Sequence, residues 1–185
     1  MSVGPDPDDV ESVTRRAVCA QPRCGRAVVV AIDGPSGAGK TSLAAAVAAR
    51  LSAPIVHMDS LYPGWDGLAE GVHRLTALVL EPLARGEAPR WRPWDWHGDR
   101  WGDPVELGWT SRLVVEGCGS SASPAGELAA LRVWMDAPTR LRRRRGIDRD
   151  GQTYSPHWER WAAQEQTLFD RDRTRDRAHL VLDTG

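Results

Sequence analysis

Asparagine is absent from the 185 residues, and lysine occurs once, at position 40. The Asn-Lys-x-Asp segment by which GTPases read guanine is therefore excluded. No apolar run approaches the roughly 18 residues that a membrane-spanning helix needs. The early residues Asp6, Asp8, Asp9 and Glu11 have the wrong sign for a secretory leader, so a cytoplasmic location without a membrane partner is expected. The three cysteines (Cys19, Cys24 and Cys118) cannot all pair with one another, and Cys19 with Cys24 lacks further metal ligands. Reduced thiols without a function are the expectation. A net charge of −1 argues against a general nucleic-acid partner. Internal repeats and low-complexity tracts are also missing.

What is present suits one soluble globular domain: 41% hydrophobic residues and 26% charged ones. All but one of the 24 Lys and Arg residues are arginine. Arginine is a planar fork, whereas lysine is a compact point charge on a flexible stem. A chain that otherwise uses arginine has kept its lysine at position 40, which marks a place where the fork does not serve.

Residues 1–26 show no sustained period and are expected to form a flexible or irregular lead-in to a domain over 27–185. Five short apolar runs read as buried strands: 27–32, 54–59, 111–116, 131–136 and 179–183. Helical spacing appears over 41–51, 71–85, 139–150 and 157–175. Strands alternating with helices predict a doubly wound α/β fold, a five-stranded parallel sheet with helices on both faces. The stretch 88–109 is dense in Trp, Pro, Arg and Asp and has no helical period.

Gly34-Pro35-Ser36-Gly37-Ala38-Gly39-Lys40-Thr41 fits G-x-x-x-x-G-K-[ST] at every fixed position, with an apolar strand before it and a helix after. The glycines let backbone N–H groups converge on a β-phosphate, and the following helix adds its positive end. Candidate nucleotide contacts are Gly34, Ser36, Gly37, Ala38, Gly39, Lys40, Thr41 and Ser42. Lys40 is expected on the β/γ oxygens and the Thr41 hydroxyl on Mg²⁺. Ligands of open α/β sheets sit at the carboxyl ends of strands, where Asp33, Asp59 and Glu116 fall. Asp33 either serves the site or only shapes the loop. Asp59 is placed to orient an acceptor hydroxyl, and Glu116 to hold metal-bound water.

These segments, with His57-Met58-Asp59-Ser60-Leu61-Tyr62, Pro93-Trp94-Asp95-Trp96 and Glu116-Gly117, resemble the uridine kinase and phosphoribulokinase-like branch of the P-loop kinases. They come in that family's order, over residues 27–183. The resemblance implies a P-loop fold with a small Arg-rich lid, here about 139–156, and an acceptor-binding insert at about 62–110. It implies Asp59 as the base toward the acceptor, Trp94 and Asp95 in place of the family's Tyr-Asp, and lid arginines near the phosphates. Arg144 and Arg149 are the arginines chosen, although the run Arg142–Arg145 offers several registers. Tyr62, Asp66, His97 and Arg100 complete the candidate acceptor site. The loop after Tyr62 is trimmed relative to the family, and its acceptor-side aspartate has Asp66 as the best counterpart.

Five of the nine tryptophans lie between 91 and 109, interleaved with polar groups, which suits a planar or sugar-like acceptor. Some of these rings are expected to fill the core, as are Trp158 and Trp161 at i and i+3. The function expected is ATP- and Mg²⁺-dependent transfer of the γ-phosphate to a hydroxyl of a small molecule, nucleoside-like by resemblance. An antibiotic, sugar or secondary metabolite is the alternative acceptor, and a regulatory ATPase the alternative class. Family members often assemble as homo-oligomers, but no self-complementary stripe is readable here.

Overall fold

The computed structural model describes residues 4–151 and 154–185, with only the backbone of Arg149 and Asp150. Strand β1 (Val28–Asp33) is almost wholly buried, as its run of β-branched residues requires when both faces are covered. The chain then turns through the glycine-rich loop into α2 (Lys40–Leu51), and β2 (Ile55–His57) follows. Strand β7 (Arg112–Glu116) lies between β2 and β1, and β8 (Leu131–Asp136) and β9 (Leu180–Asp183) extend the other side. The order is β2-β7-β1-β8-β9, parallel throughout. Register places Glu116 opposite both Ile32 and His57, and Asp33 opposite Trp134. The acids at the strand ends therefore share one rim.

Two cores flank the sheet. On one face Val30, Ile32, Val114 and Val133 pack against Leu43 and Val47 of α2. On the other, Val29, Leu113 and Val115 meet Leu75, Tyr62, Trp158 and Trp161. The first core also corrects the reading of residues 1–26. Within them α1 (Pro7–Cys19) is a regular helix, capped by Asp6 accepting the Asp8 N–H, with Pro7 at its first turn. Val10, Val13 and Ala17 are spaced along its inward face and join α2 in that core. Its polar majority hid a narrow apolar stripe.

The helix expected over 71–85 begins earlier and contains a defect: α3 (Leu68–Arg74), a π-type turn (Leu75–Leu80) and α4 (Glu81–Ala84). Pro82 has no N–H to give the Leu78 carbonyl, and the Glu81 N–H reaches back to Thr76, five residues away. The stretch without a helical period forms an arm of two nested antiparallel ladders. The outer pairs β3 (Arg90–Trp91) with β6 (Val105–Glu106), and the inner pairs β4 (Trp94–Asp95) with β5 (Arg100–Trp101). Helices α5 (Ala125–Leu128), α6 (Thr139–Asp150) and α7 (Trp158–Asp172) complete the fold, α6 ending at Gly151 as its sequence signals. Residues 152 and 153 of the expected lid lie outside the described residues.

Candidate active site

The loop between β1 and α2 is built on positive backbone angles, φ 135° at Gly34, 80° at Gly37 and 94° at Gly39. Side chains are excluded by contact as well: a Cβ on Gly34 would strike the Met135 carbonyl, and one on Gly37 the Arg142 carbonyl. Asp33 locks the loop's entry. Its carboxylate accepts from the N–H groups of Gly34 (2.7 Å), Gly119 (2.8 Å) and Ser121 (2.8 Å) and from the Ser121 hydroxyl (2.9 Å). Burial pushes its pKa up, and these four bonds pull it back. Of the two roles open for Asp33, shaping the loop is the one its contacts display.

Lys40 is 7% exposed, and its Nζ donates to the Pro35 carbonyl at 2.9 Å and lies 3.5 Å from Cys118 Sγ. Burial opposes its charge, but Cys118, Glu165, Glu116 and Asp33 together more than offset that, holding its pKa above the ordinary lysine value. Thr41 and Ser42 are exposed at the start of α2. Thr41 Oγ1 lies 3.4 Å and 3.3 Å from the two Glu116 carboxylate oxygens. Glu116 itself is 4% exposed. The hydroxyl and carboxylate expected to share a metal are thus side by side, an all-oxygen set of the kind Mg²⁺ accepts. No group of three or more His, Cys, Asp or Glu able to hold a metal occurs among the described residues. A magnesium ion here would take its remaining ligands from phosphate and water.

Two residues of this site escaped the sequence reading. His57 Nδ1 lies 2.6 Å from Glu116 Oε1, and that contact raises the His57 pKa against the opposing effect of burial. Glu165, 3% exposed on α7, accepts the Ser36 N–H at 2.8 Å and the Cys118 thiol at 3.0 Å. A signal for Glu165 existed. It occupies an inward position in the stripe Trp158, Trp161, Glu165, Leu168, where an apolar residue is the rule. For His57 the signal was its place two residues before Asp59 at the end of a strand.

On the acceptor side the candidates divide. Asp59 is exposed just beyond β2, in a short 3₁₀ turn (Met58–Ser60), and its carbonyl accepts from Trp96 Nε1 at 2.9 Å. Tyr62, expected to line the acceptor, is instead a core residue. It is 1% exposed, its hydroxyl donates to the Cys118 carbonyl at 2.7 Å, and its ring meets Trp161 edge-on at 4.9 Å. Asp66 is ion-paired to Arg160 of α7. The Asp95 carboxylate accepts the N–H groups of His97 and Gly98, each at 3.1 Å, which build the turn of the arm and hold its pKa below the usual range. Tyr62 and Asp95 spend their polar groups on structure because each sits where backbone groups need partners.

His97 and Arg100 are exposed on that turn, and Trp94 meets Trp101 edge-on at 4.8 Å. The aromatic surface beside Asp59 is made by other rings: Trp65 packs against Trp96 (4.7 Å) and stacks on His157 (4.4 Å, 11° between planes). In α6 the register resolves. Arg142 donates to the Ser36 carbonyl (3.3 Å), and Arg145 donates to the Thr184 hydroxyl and carbonyl (3.0 and 2.9 Å). Thr184 Oγ1 in turn donates to Ala38 (3.0 Å). Arg142 and Arg145 thus brace the phosphate loop, while Arg144 is exposed. The Arg149 side chain lies outside the described residues.

Strand order, loop and following helix define a P-loop nucleotide-binding fold. A possible uridine kinase from Bacillus stearothermophilus shares that fold at a TM-score of 0.70, with 19% identity over 95% of this chain and 98% of the other. A structure described as a fructose transport system kinase, from Silicibacter sp. TM1040, follows at TM-score 0.53 and 18% identity, covering 95% and 97%. Among curated sequences, a bifunctional pantoate ligase/cytidylate kinase from Synechococcus sp. (strain JA-3-3Ab) is 40% identical over 84 residues. That match takes in 44% of this chain and 15% of the relative's length. No family model matches the chain. No helix among the described residues is long and apolar enough to cross a membrane.

Proposed function

We propose that the chain is a small-molecule kinase, which binds ATP with Mg²⁺ on the loop Gly34–Thr41 and transfers the γ-phosphate to an acceptor hydroxyl. The observation that carries this reading is the convergence of buried Lys40 and Glu116 with exposed Thr41 on one rim of the sheet, with exposed Asp59 on the same rim. A triphosphate there would meet a cradle of N–H groups and one lysine. Magnesium would be held by Thr41 and Glu116, and it would supply charge neutralisation between the phosphates. Asp59 orients and accepts the proton of the attacking hydroxyl. His57 holds the Glu116 carboxylate through its Oε1 oxygen. The exposed Arg144 lies on the helix that braces the loop, and closure of α6 over the phosphates would be needed to bring it into use.

A uridine-kinase-like nucleoside acceptor agrees with the resemblance and with the fold neighbours. A sugar or other secondary metabolite is favoured by one specific observation: Tyr62 and Asp95, two groups expected to read the acceptor, are engaged within the protein. The surface left for an acceptor is formed by Asp59, Trp65, Trp96 and His157, with His97 on the arm above. Phosphate transfer with Mg²⁺-ATP, screened across nucleosides, sugars and antibiotics, tests the proposal. ADP release is expected to be negligible with ATP alone and to rise with the right hydroxyl compound. Brisk turnover without any acceptor would instead make the chain a regulatory ATPase.

A further inference from the structure

Where the arm meets α3 and the π-type turn, it carries a feature to which the phosphate loop contributes no residue. Arg74 at the end of α3, Leu78 in the π-type turn, and Arg90, Trp91, Arg92 and Trp101 of the arm line a groove of about 450 Å³. Three of these side chains are guanidinium groups, and no acid lines the groove. The Arg74 guanidinium is fixed over the Trp101 ring, 3.8 Å from its centroid. Two donors on the lining residues, Arg74 Nε and Trp91 Nε1, are buried without a hydrogen-bond acceptor. Arg74, Arg90 and Arg92 make no side-chain hydrogen bond or ion pair among the described residues. Burial of Arg74 works against its charge, and Glu70 one turn earlier only partly compensates.

A half-buried guanidinium without a bonded acid and buried donors without acceptors are each costly, and at Arg74 and Trp91 they occur together. An oxyanion answers both. Guanidinium forks match tetrahedral oxyanions two bonds at a time, and the indoles offer an apolar wall beside them. Three cations in a chain of net charge −1 do not make the long basic track that a polynucleotide requires. We propose that this groove is a second ligand site, separate from the phosphate loop, that takes a small phosphorylated molecule: its phosphate against Arg74, Arg90 and Arg92, and its remainder against Trp91. The inference stands on the groove alone and does not depend on which acceptor the kinase reading requires.

The test is calorimetric titration of the Lys40→Ala protein, in which the phosphate loop is disabled, with a nucleoside monophosphate and with inorganic phosphate. Saturable binding of the monophosphate is expected, at least about tenfold weaker once Arg90→Gln and Arg92→Gln are added. Both arginines are exposed, so the double variant should fold. Where Lys40→Ala lowers the melting temperature, wild-type protein saturated with a non-hydrolysable triphosphate and Mg²⁺ reads the same difference. Equal monophosphate binding with and without the two arginines would overturn the site. Inorganic phosphate binding as tightly as the monophosphate would overturn the assignment to a phosphorylated molecule. A single-stranded oligonucleotide that binds more tightly than either, with a steep salt dependence, would overturn it in favour of a nucleic-acid surface.

Discussion

The phosphate loop and the aromatic arm stand on either side of the same rim, and they relate to the sequence in opposite ways. The loop's geometry is mostly backbone. Gly34, Gly37 and Gly39 adopt angles that other residues rarely take, and neighbouring carbonyls leave no space for a Cβ at Gly34 or Gly37. The arm's geometry is mostly side chain: two-residue ladders held by Trp94 on Trp101, Trp96 on the Asp59 carbonyl, and Asp95 folding its own turn. A backbone site allows few residues per position, so its sequence is nearly its structure. A side-chain site is a set of alternatives, and which ring faces the ligand depends on partners distant in the chain.

The sharpest way to break this contrast is at Lys40. Lys40→Ala should cost the transfer step several kcal/mol, an order-of-magnitude figure, read from kcat. Lys40→Arg should stay nearly as poor, because the planar fork cannot replace the point charge. An arginine variant with near-normal kcat would mean that the loop is less specific than its geometry implies. Asp59→Asn should likewise abolish most transfer while nucleotide affinity holds, and full activity would remove Asp59 from its role.

Next in size is Tyr62, where resemblance and structure disagree. Tyr62→Ala should lose about 3–5 kcal/mol of folding stability, as large-to-small core changes do. Tyr62→Phe should lose only about 1 kcal/mol with its bond to Cys118, and leave the acceptor KM unchanged. A raised KM in the phenylalanine variant would return Tyr62 to the acceptor site. Glu165→Gln keeps an acceptor for the Ser36 N–H but removes a negative charge near Lys40. Nucleotide Kd should tighten by on the order of 1 kcal/mol, measured by titration with a non-hydrolysable analogue.

The smallest effect belongs to pH and the arm. Because the folded Asp95 pKa is depressed, its contribution is present above the unfolded value of about 4 and is lost as pH falls through the folded value. Asp95→Asn should flatten that acid-side loss of stability, in thermal melts between roughly pH 2 and 5, without altering nucleotide binding.

All five sheet strands were legible, because short apolar runs that alternate with helical segments have few other destinations. The loop, with Thr41 and Glu116, was legible because motif and strand end coincide. Helix α1 was not, since three inward positions are a weak stripe in a polar, acidic segment. His57 and Glu165 were missed for a related reason: each becomes a site residue only through a partner 59 or 129 positions away. The arginine run could be read as basic but not as oriented. The bond of Arg142 to the Ser36 carbonyl and the tether of Arg145 to Thr184, beyond β9, show which side of α6 faces the loop.

The π-type turn over Leu75–Leu80 makes residue count, rather than residue type, a determinant of the groove. Each residue of a regular helix advances the face by about 100°. Deleting one residue within the turn would restore ordinary winding and swing Arg74 away from Trp101, or else pull Leu68 and Val72 off the core. A one-residue gap in this helix would therefore act as a larger change than most substitutions on its surface, and a relative that carries such a gap should lack the arginine–indole pair.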